Sequence, residues 1–217
     1  MVIKAVIFDQ GGVLVGDPID LSQYEGNLED AEPTKETMAH ALWHPDFLET
    51  FYRCFRGEIS GAHTERLFFE HCRKLFRQPT LPDTNTIFSV FNQYITTSHP
   101  HFQHKAVSVA VKQLREKGYK TAVLTNNWFT EDDKKQSFLF IDSSLFDHVL
   151  ESCRLGLMKP DPKIYEVALQ KLNCKPEEAV YLDDFPEYVT AAQKMGIQSI
   201  LVRDQNDAID QLWRIME

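Results

Sequence analysis

Residues 3–14 read IKAVIFDQGGVL. Ile3 to Phe8 form a short apolar run rich in β-branched side chains, as expected of a strand buried on both faces of a parallel sheet. The run stops at a carboxylate, Asp9, and Gly11 and Gly12 follow at once, which marks a tight turn at the strand's end. Similar runs recur at Lys120 to Thr125 (KTAVLT), Ala179 to Leu182 (AVYL) and Ser199 to Val202 (SILV), with a weaker candidate at His148 to Glu151 (HVLE). Helical patterns lie between them. Gln103 to Lys117 ends at Gly118, Pro162 to Leu172 stands behind Asp161 as its cap, and Glu187 to Met195 ends at Gly196. Strands alternating with helices predict an α/β fold with a doubly wound, Rossmann-like, mostly parallel sheet.

From about Asp17 to Pro100 the alternation breaks. This stretch offers helix-like patterns at Thr34 to Trp43, Phe47 to Phe55, Ala62 to Phe76 and Asp83 to Thr97, a polar loop at Asn27 to Pro33, and no convincing strand. It follows the first strand, so an all-helical cap folding over the sheet's ligand crevice is the economical reading. The expected division is a core domain of residues 1–16 and 100–217 and a cap domain of residues 17–99. With 217 residues, 43% of them apolar and 12% aromatic, the chain can bury a full core. Its 23 Lys and Arg against 32 Asp and Glu give a formal charge of −9, and no basic block could track a phosphate backbone, so nucleic acid is not an expected partner. The N-terminal residues show no signal-peptide pattern and nowhere do about 18 apolar residues run together. The expectation is therefore a cytoplasmic protein without membrane contact. Cys54, Cys72, Cys153 and Cys174 are scattered without a CxxC pair, which predicts reduced, mostly buried thiols.

Four short segments fall at the ends of expected strands, where open α/β sheets bind ligands. They are FDQGGVL at Asp9, VLTNN at Thr125, GLMKPDPKIY at Lys159 and YLDDFPE at Asp183 and Asp184. In this order they resemble the haloacid dehalogenase superfamily, and in particular its helical-capped phosphatase branch, which includes the N-terminal domain of soluble epoxide hydrolase and bacterial sugar-phosphate phosphatases. RGEIS, residues 56–60, is similar to the cap segment of that branch. The resemblance implies that Asp9 is a nucleophile forming an aspartyl phosphate. It implies that Gly11 and Gly12 turn peptide N–H groups toward anionic oxygens, and that Thr125 and Asn126 hold nonbridging phosphate oxygens. Lys159 would place an ammonium beside Asp9 and the phosphate. Side-by-side carboxylates at Asp183 and Asp184 need a nearby cation, and Mg2+ suits them, since it takes oxygen ligands and keeps several waters. The expected metal set is Asp9, the Gly11 carbonyl and Asp184, with Asp183 as a further ligand or as an anchor for Lys159.

The pattern departs from the family at Gly11, where most phosphatases of the branch carry a second Asp that protonates the leaving oxygen. General acid–base help is worth about 10² to 10⁴ in rate. Asp17 or Glu58 could supply the proton instead, or the leaving group could depart unaided. The resulting expectation is a magnesium-dependent hydrolase of small phosphorylated metabolites, monomeric or homodimeric. Two other readings stand beside it: a degenerate domain that binds a phosphorylated ligand or a protein partner with little turnover, and a haloacid dehalogenase. His99, His101 and His104 read as surface or hinge residues. Trp128 and Phe129 either line the pocket or pack on the sheet edge, and the insertion's aromatics mostly form its own core.

Overall fold

The computed structural model describes residues 2–16, 28, 32, 34–77 and 104–217. Side chains of the first strand, β1 (Ala5–Phe8), are fully buried on both faces, Val6 and Phe8 on one side and Ala5 and Ile7 on the other. A strand of this kind must be central, and it is. With β2 (Lys120–Thr125), β3 (His148–Glu151), β4 (Ala179–Asp183) and β5 (Gln198–Leu201) it forms a five-stranded parallel sheet in the order β3-β2-β1-β4-β5. The weak candidate HVLE is thus a true edge strand.

The insertion supplies α1 (Lys35–Ala41), α2 (Pro45–Phe55) and α3 (Gly61–Leu75). The core supplies α4 (Lys105–Glu116), a short α5 (Ser152–Leu155), α6 (Pro162–Leu172), α7 (Pro186–Lys194) and α8 (Gln205–Met216). Helices α4 and α8 cover one face of the sheet, with Val107, Val111, Leu114, Ile209 and Leu212 against Val6 and Phe8. Helices α6 and α7 cover the other, with Ile164, Tyr165 and Tyr188 against Ile7 and Tyr181. Asp161 caps α6 by accepting from the Lys163 N–H at 2.9 Å, as its position ahead of Pro162 predicts.

Helix α8 has no counterpart among the expected elements. Asp204 caps it, accepting from the Asp207 N–H at 2.9 Å, and Ala208, Ile209 and Leu212 repeat at helical spacing, so a start signal and a periodic face were both present. The expected helix at Asp83 to Thr97 lies outside the described residues. A third hydrophobic cluster joins the insertion to the core: Phe47, Phe51, Cys54 and Phe68 pack in one body with Trp128, Phe138 and Met158. Among the described residues no helix is long and apolar enough to cross a membrane. All four cysteines are free; Cys54, Cys72 and Cys153 are buried, and burial pushes each of those thiols up to about 12.

Candidate active site

The chain leaves β1 for β2 on one side and later returns to β4 on the other, so the C-terminal end of β1 is the point where the winding reverses and a crevice opens. Phe8 stands in register with Val123 of β2 and Leu182 of β4, and the Asp9 N–H donates to the Leu182 carbonyl at 2.9 Å. The register therefore sets Asp9 beside Asp183, with Asp184 one residue on and Thr125 ending the strand on the opposite flank. All four side chains are buried.

Lys159 enters from the loop between α5 and α6, at a cis Lys159–Pro160 bond. Its ammonium lies 2.9 Å from Asp9 Oδ1 and 2.7 Å from Asp183 Oδ2 and is 1% exposed, so the two carboxylates take the place of water around it. Burial alone would favour the neutral amine, but Asp183 and Asp9 outweigh it and hold Lys159 above its ordinary value. For Asp9 the balance is reversed. Its carboxyl is raised from the ordinary 3.8 to about 6, because burial, helped by Asp183, outweighs the pull of Lys159.

Asp183 and Asp184 differ in what they touch. Asp183 Oδ2 accepts from Lys159 and from the Tyr181 hydroxyl, while Oδ1 accepts from the Phe185 N–H at 2.8 Å. Both of its oxygens are engaged inside the protein, which makes it the residue that holds Lys159. Asp184 lines the cavity, and its main-chain carbonyl accepts from Arg203 at 3.1 Å. One oxygen from each of Asp9, Asp183 and Asp184 falls within 4.8 Å of the others. Three buried carboxylates and the buried ammonium of Lys159 meet here among the described residues, and an all-oxygen donor set of this kind fits a hard divalent cation such as magnesium.

Asn126 lines the cavity, and its side chain is hydrogen-bonded to Lys159 and Tyr188. Its amide Nδ2 donates to the Lys159 carbonyl at 3.0 Å and to the Tyr188 hydroxyl at 3.3 Å, and its Oδ1 accepts from the Lys159 N–H at 2.9 Å. The side chain is consumed in fixing the backbone of Lys159. Gly12 departs from expectation. Its N–H donates to the Val15 carbonyl at 2.9 Å, its own carbonyl accepts from Gln205, and it does not line the cavity, so with φ at 67° it shapes the turn. Gly11 does line the cavity, and a Cβ built on it would meet nothing within 4 Å.

The cavity has a volume of about 70 Å³. Asp9, Thr125, Asn126, Lys159 and Asp184 make its polar side. The apolar side comes from Trp43 and Phe55 of the insertion, Trp128 and Phe138 of the loop after β2, and Phe185 and Tyr188 at the start of α7. Trp128 is thus a lining residue, whereas Phe129 packs away from the cavity beneath Arg154, whose guanidinium lies 5.3 Å from its ring centre. Gln10, Phe138, Phe185 and Tyr188 were not anticipated. Gln10 is buried and ties the strand end to the distant loop, accepting from the Phe140 N–H at 3.1 Å. Of the substitutes for the missing acid, Asp17 lies outside the described residues, as do His99 and His101. Glu58 does not line the cavity, and Arg56 at 2.7 Å and Arg53 at 3.1 Å hold its carboxyl below the ordinary range.

The family model for haloacid dehalogenase-like hydrolases matches residues 41–202. Among curated proteins, the chain is 33% identical over 209 residues to acyl-CoA dehydrogenase family member 10 of Mus musculus, covering 96% of this chain and 19% of that protein. It is 34% identical over 168 residues to bifunctional epoxide hydrolase 2 of Rattus norvegicus, covering 74% of this chain and 29% of that protein. The chain therefore spans well under half the length of these relatives. Among solved structures, a HAD-like hydrolase from Porphyromonas gingivalis superposes with a TM-score of 0.65 at 17% identity, covering 100% of this chain and 99% of that one. A HAD family enzyme of Bacteroides thetaiotaomicron, solved in complex with magnesium and inorganic phosphate, does so with a TM-score of 0.54 at 19% identity, covering 91% and 93%. The strand-end carboxylate at β1, the buried lysine and the paired aspartates at β4 stand within a chain that belongs to the haloacid dehalogenase-like hydrolases.

Proposed function

We propose that the chain is a magnesium-dependent hydrolase of small phosphomonoesters that works through a phosphorylated Asp9, with residues 17–99 acting as a cap on a core of residues 1–16 and 100–217. The observation that carries this reading is Lys159 clamped between Asp9 and Asp183, with Asp184 beside them at the floor of one cavity. An ionised carboxylate that is buried, and therefore poorly hydrated, attacks readily once a neighbouring cation keeps it deprotonated. Asp9 would attack phosphorus, Lys159 would face a nonbridging oxygen, and the Thr125 hydroxyl would orient another. Asn126 and Asp183 would act through Lys159, one fixing its backbone and the other its ammonium. Asp9, Asp184 and the Gly11 carbonyl would hold the metal. Magnesium, when bound, would supply positive charge to the phosphoryl oxygens and to the clustered carboxylates. The magnesium and phosphate held by the Bacteroides enzyme support this assignment.

Gly11 favours a second reading, in which the site binds a phosphorylated ligand with little turnover. One assay separates the two. Release of inorganic phosphate from an activated aryl phosphate and from a panel of metabolite phosphates is measured with and without magnesium, beside Asp9→Asn. Magnesium-dependent release that Asp9→Asn abolishes is the expected result. Tight binding of a phosphate mimic with no release from any ester would favour the second reading, and magnesium-independent turnover of a haloacid would overturn both.

A further inference from the structure

Resting on the phosphatase reading, we infer that this site acts on phosphate esters of acidic hydroxyls, phenols above all, whose oxygen leaves as an anion without taking a proton from the described residues that line the cavity.

The argument starts from what the cavity can donate. Among the described residues lining it, the side-chain groups carrying exchangeable protons are Asp9, Asp184, Lys159, Tyr188, Thr125, the indoles of Trp43 and Trp128, and the amides of Gln10, Asn126 and Asn127. Asp9 must be ionised to attack, and Asp184 stands in the carboxylate cluster that would hold the cation. The Lys159 ammonium is fixed at 2.9 and 2.7 Å between two carboxylates, and surrendering its proton would leave a neutral amine facing two buried anions. A threonine hydroxyl, an indole N–H or an amide is far too weak an acid, and the Tyr188 phenol is buried against Asn126. At Gly11 the backbone leaves the neighbouring space open, with nothing within 4 Å of where a side chain would begin. No proton therefore reaches the leaving oxygen from these groups.

The aromatic lining points to the same substrates. Trp43, Phe55, Trp128, Phe138 and Phe185 line the same cavity as the carboxylates, and Trp43 and Phe185 meet across the junction of insertion and core with ring centres 5.7 Å apart. A planar aromatic leaving group stacks on such a wall, whereas a polyhydroxylated one leaves its hydroxyls without partners there. In the first step an Asp9 oxygen forms a bond to phosphorus, the bond from phosphorus to the phenolic oxygen breaks, and its electron pair leaves on a phenolate that water later protonates. In the second step water attacks phosphorus, returning the Asp9 carboxylate and releasing inorganic phosphate, with the water's proton passing to solvent.

The test is a series of aryl phosphates of graded phenol acidity, completed by an alkyl phosphate, assayed with magnesium on the native chain and on Gly11→Asp. Because kcat/KM reports the step in which the phenol leaves, it should fall steeply with phenol acidity and by at least about 10²-fold to the alkyl ester, the size of the missing acid assistance. The activated esters should share one kcat, since hydrolysis of the same phosphorylated Asp9 follows each of them, and should show a burst of phenol release. Gly11→Asp should narrow the gap between aryl and alkyl esters by about tenfold or more. A flat dependence of kcat/KM in the native chain, with alkyl and aryl esters turned over alike, would overturn this inference and leave the phosphatase reading standing. No magnesium-dependent phenol release from even the most activated ester would overturn the phosphatase reading, and this inference with it.

Discussion

Lys159 neutralises only part of the charge that Asp9, Asp183 and Asp184 bring to the end of the sheet, and Asp9 bears the consequence. A carboxyl raised from 3.8 to about 6 binds its proton more tightly in the folded chain than in the unfolded one. Its contribution to stability is therefore fully present below about pH 4 and lost as pH rises through about 6. Asp9→Asn removes the ionisation, keeps the shape, and leaves Lys159 paired with Asp183 at 2.7 Å. In the absence of magnesium the variant should be more stable than the native chain by about 1–3 kcal/mol at pH 7.5 and by almost nothing at pH 4. Urea denaturation at the two pH values checks this; equal stabilities at pH 7.5 would mean that Asp9 is not strained by its surroundings. Asn126→Ala tests the other support of Lys159. Losing bonds to both the N–H and the carbonyl of that residue should lower kcat/KM by about 10- to 100-fold while KM changes little, as expected when a charge is displaced from the reacting atoms. The residue types at these positions could be read in the chain, since Asp9, Lys159, Asp183 and Asp184 each stand in a distinctive segment. The hydrogen bonds that turn Asn126 and Asp183 toward Lys159 could not, because they join residues 33 and 24 positions apart.

The insertion is latched to the core by a short edge. The Gly61 N–H donates to the Phe129 carbonyl at 2.7 Å, the Ala62 N–H to the Thr130 carbonyl at 3.0 Å, and Lys134 Nζ to the Gly57 carbonyl at 2.8 Å; Ser60, which caps α3, also donates to the Asp132 carboxylate. Gly57 permits this closeness. Its φ is 69° and a Cβ there would lie 2.2 Å from the Cys153 carbonyl oxygen. Gly118, with φ at 85°, has nothing within 4 Å. Gly118→Ala should therefore cost only the backbone strain, about 1 kcal/mol, and Gly57→Ala about 2–4 kcal/mol, since its Cβ would also meet the Cys153 backbone and the Phe129 ring; with the insertion shifted, activity should fall as well. Thermal melts and one activity assay on the pair separate strain from contact. Elements with strong local signals were legible at this level: β1, β2 and β4 as apolar runs, and α6 from its Asp161–Pro162 start. Helix α8 carried a local signal of the same kind, the Asp204 cap and the stripe of Ala208, Ile209 and Leu212, although the expected elements did not include it. Which aromatics line the cavity was hidden. Trp43, Phe55 and Phe138 look like ordinary core residues in sequence, and the packing of the insertion on the loop after β2 brings them to the site.

Across the molecule, the formal charge of −9 and the clustered carboxylates at the end of the sheet act in the same direction, since each favours taking up a small cation. The site is assembled from the ends of β1, β2 and β4 and the loop before α6, so it exists only in the folded chain, and a cation bound there stabilises the whole fold. Magnesium at about 100 times its dissociation constant should add about 2.7 kcal/mol. Protons compete for the same oxygens. With Asp9 raised to about 6, binding at pH 7.5 meets a carboxylate already ionised, while binding at pH 5 must first displace a proton. Apparent affinity for magnesium should accordingly be about tenfold weaker at pH 5 than at pH 7.5, and the magnesium-induced rise in melting temperature should shrink with it. Asp9→Asn supplies the control, because an amide has no proton to displace: its weaker binding should not change between the two pH values. Titration of magnesium followed by calorimetry at both pH values, on both proteins, reads these constants without any turnover. An affinity in the native chain that does not change with pH would show that Asp9 takes no part in holding the cation, and would move the metal site onto Asp184 and the backbone alone.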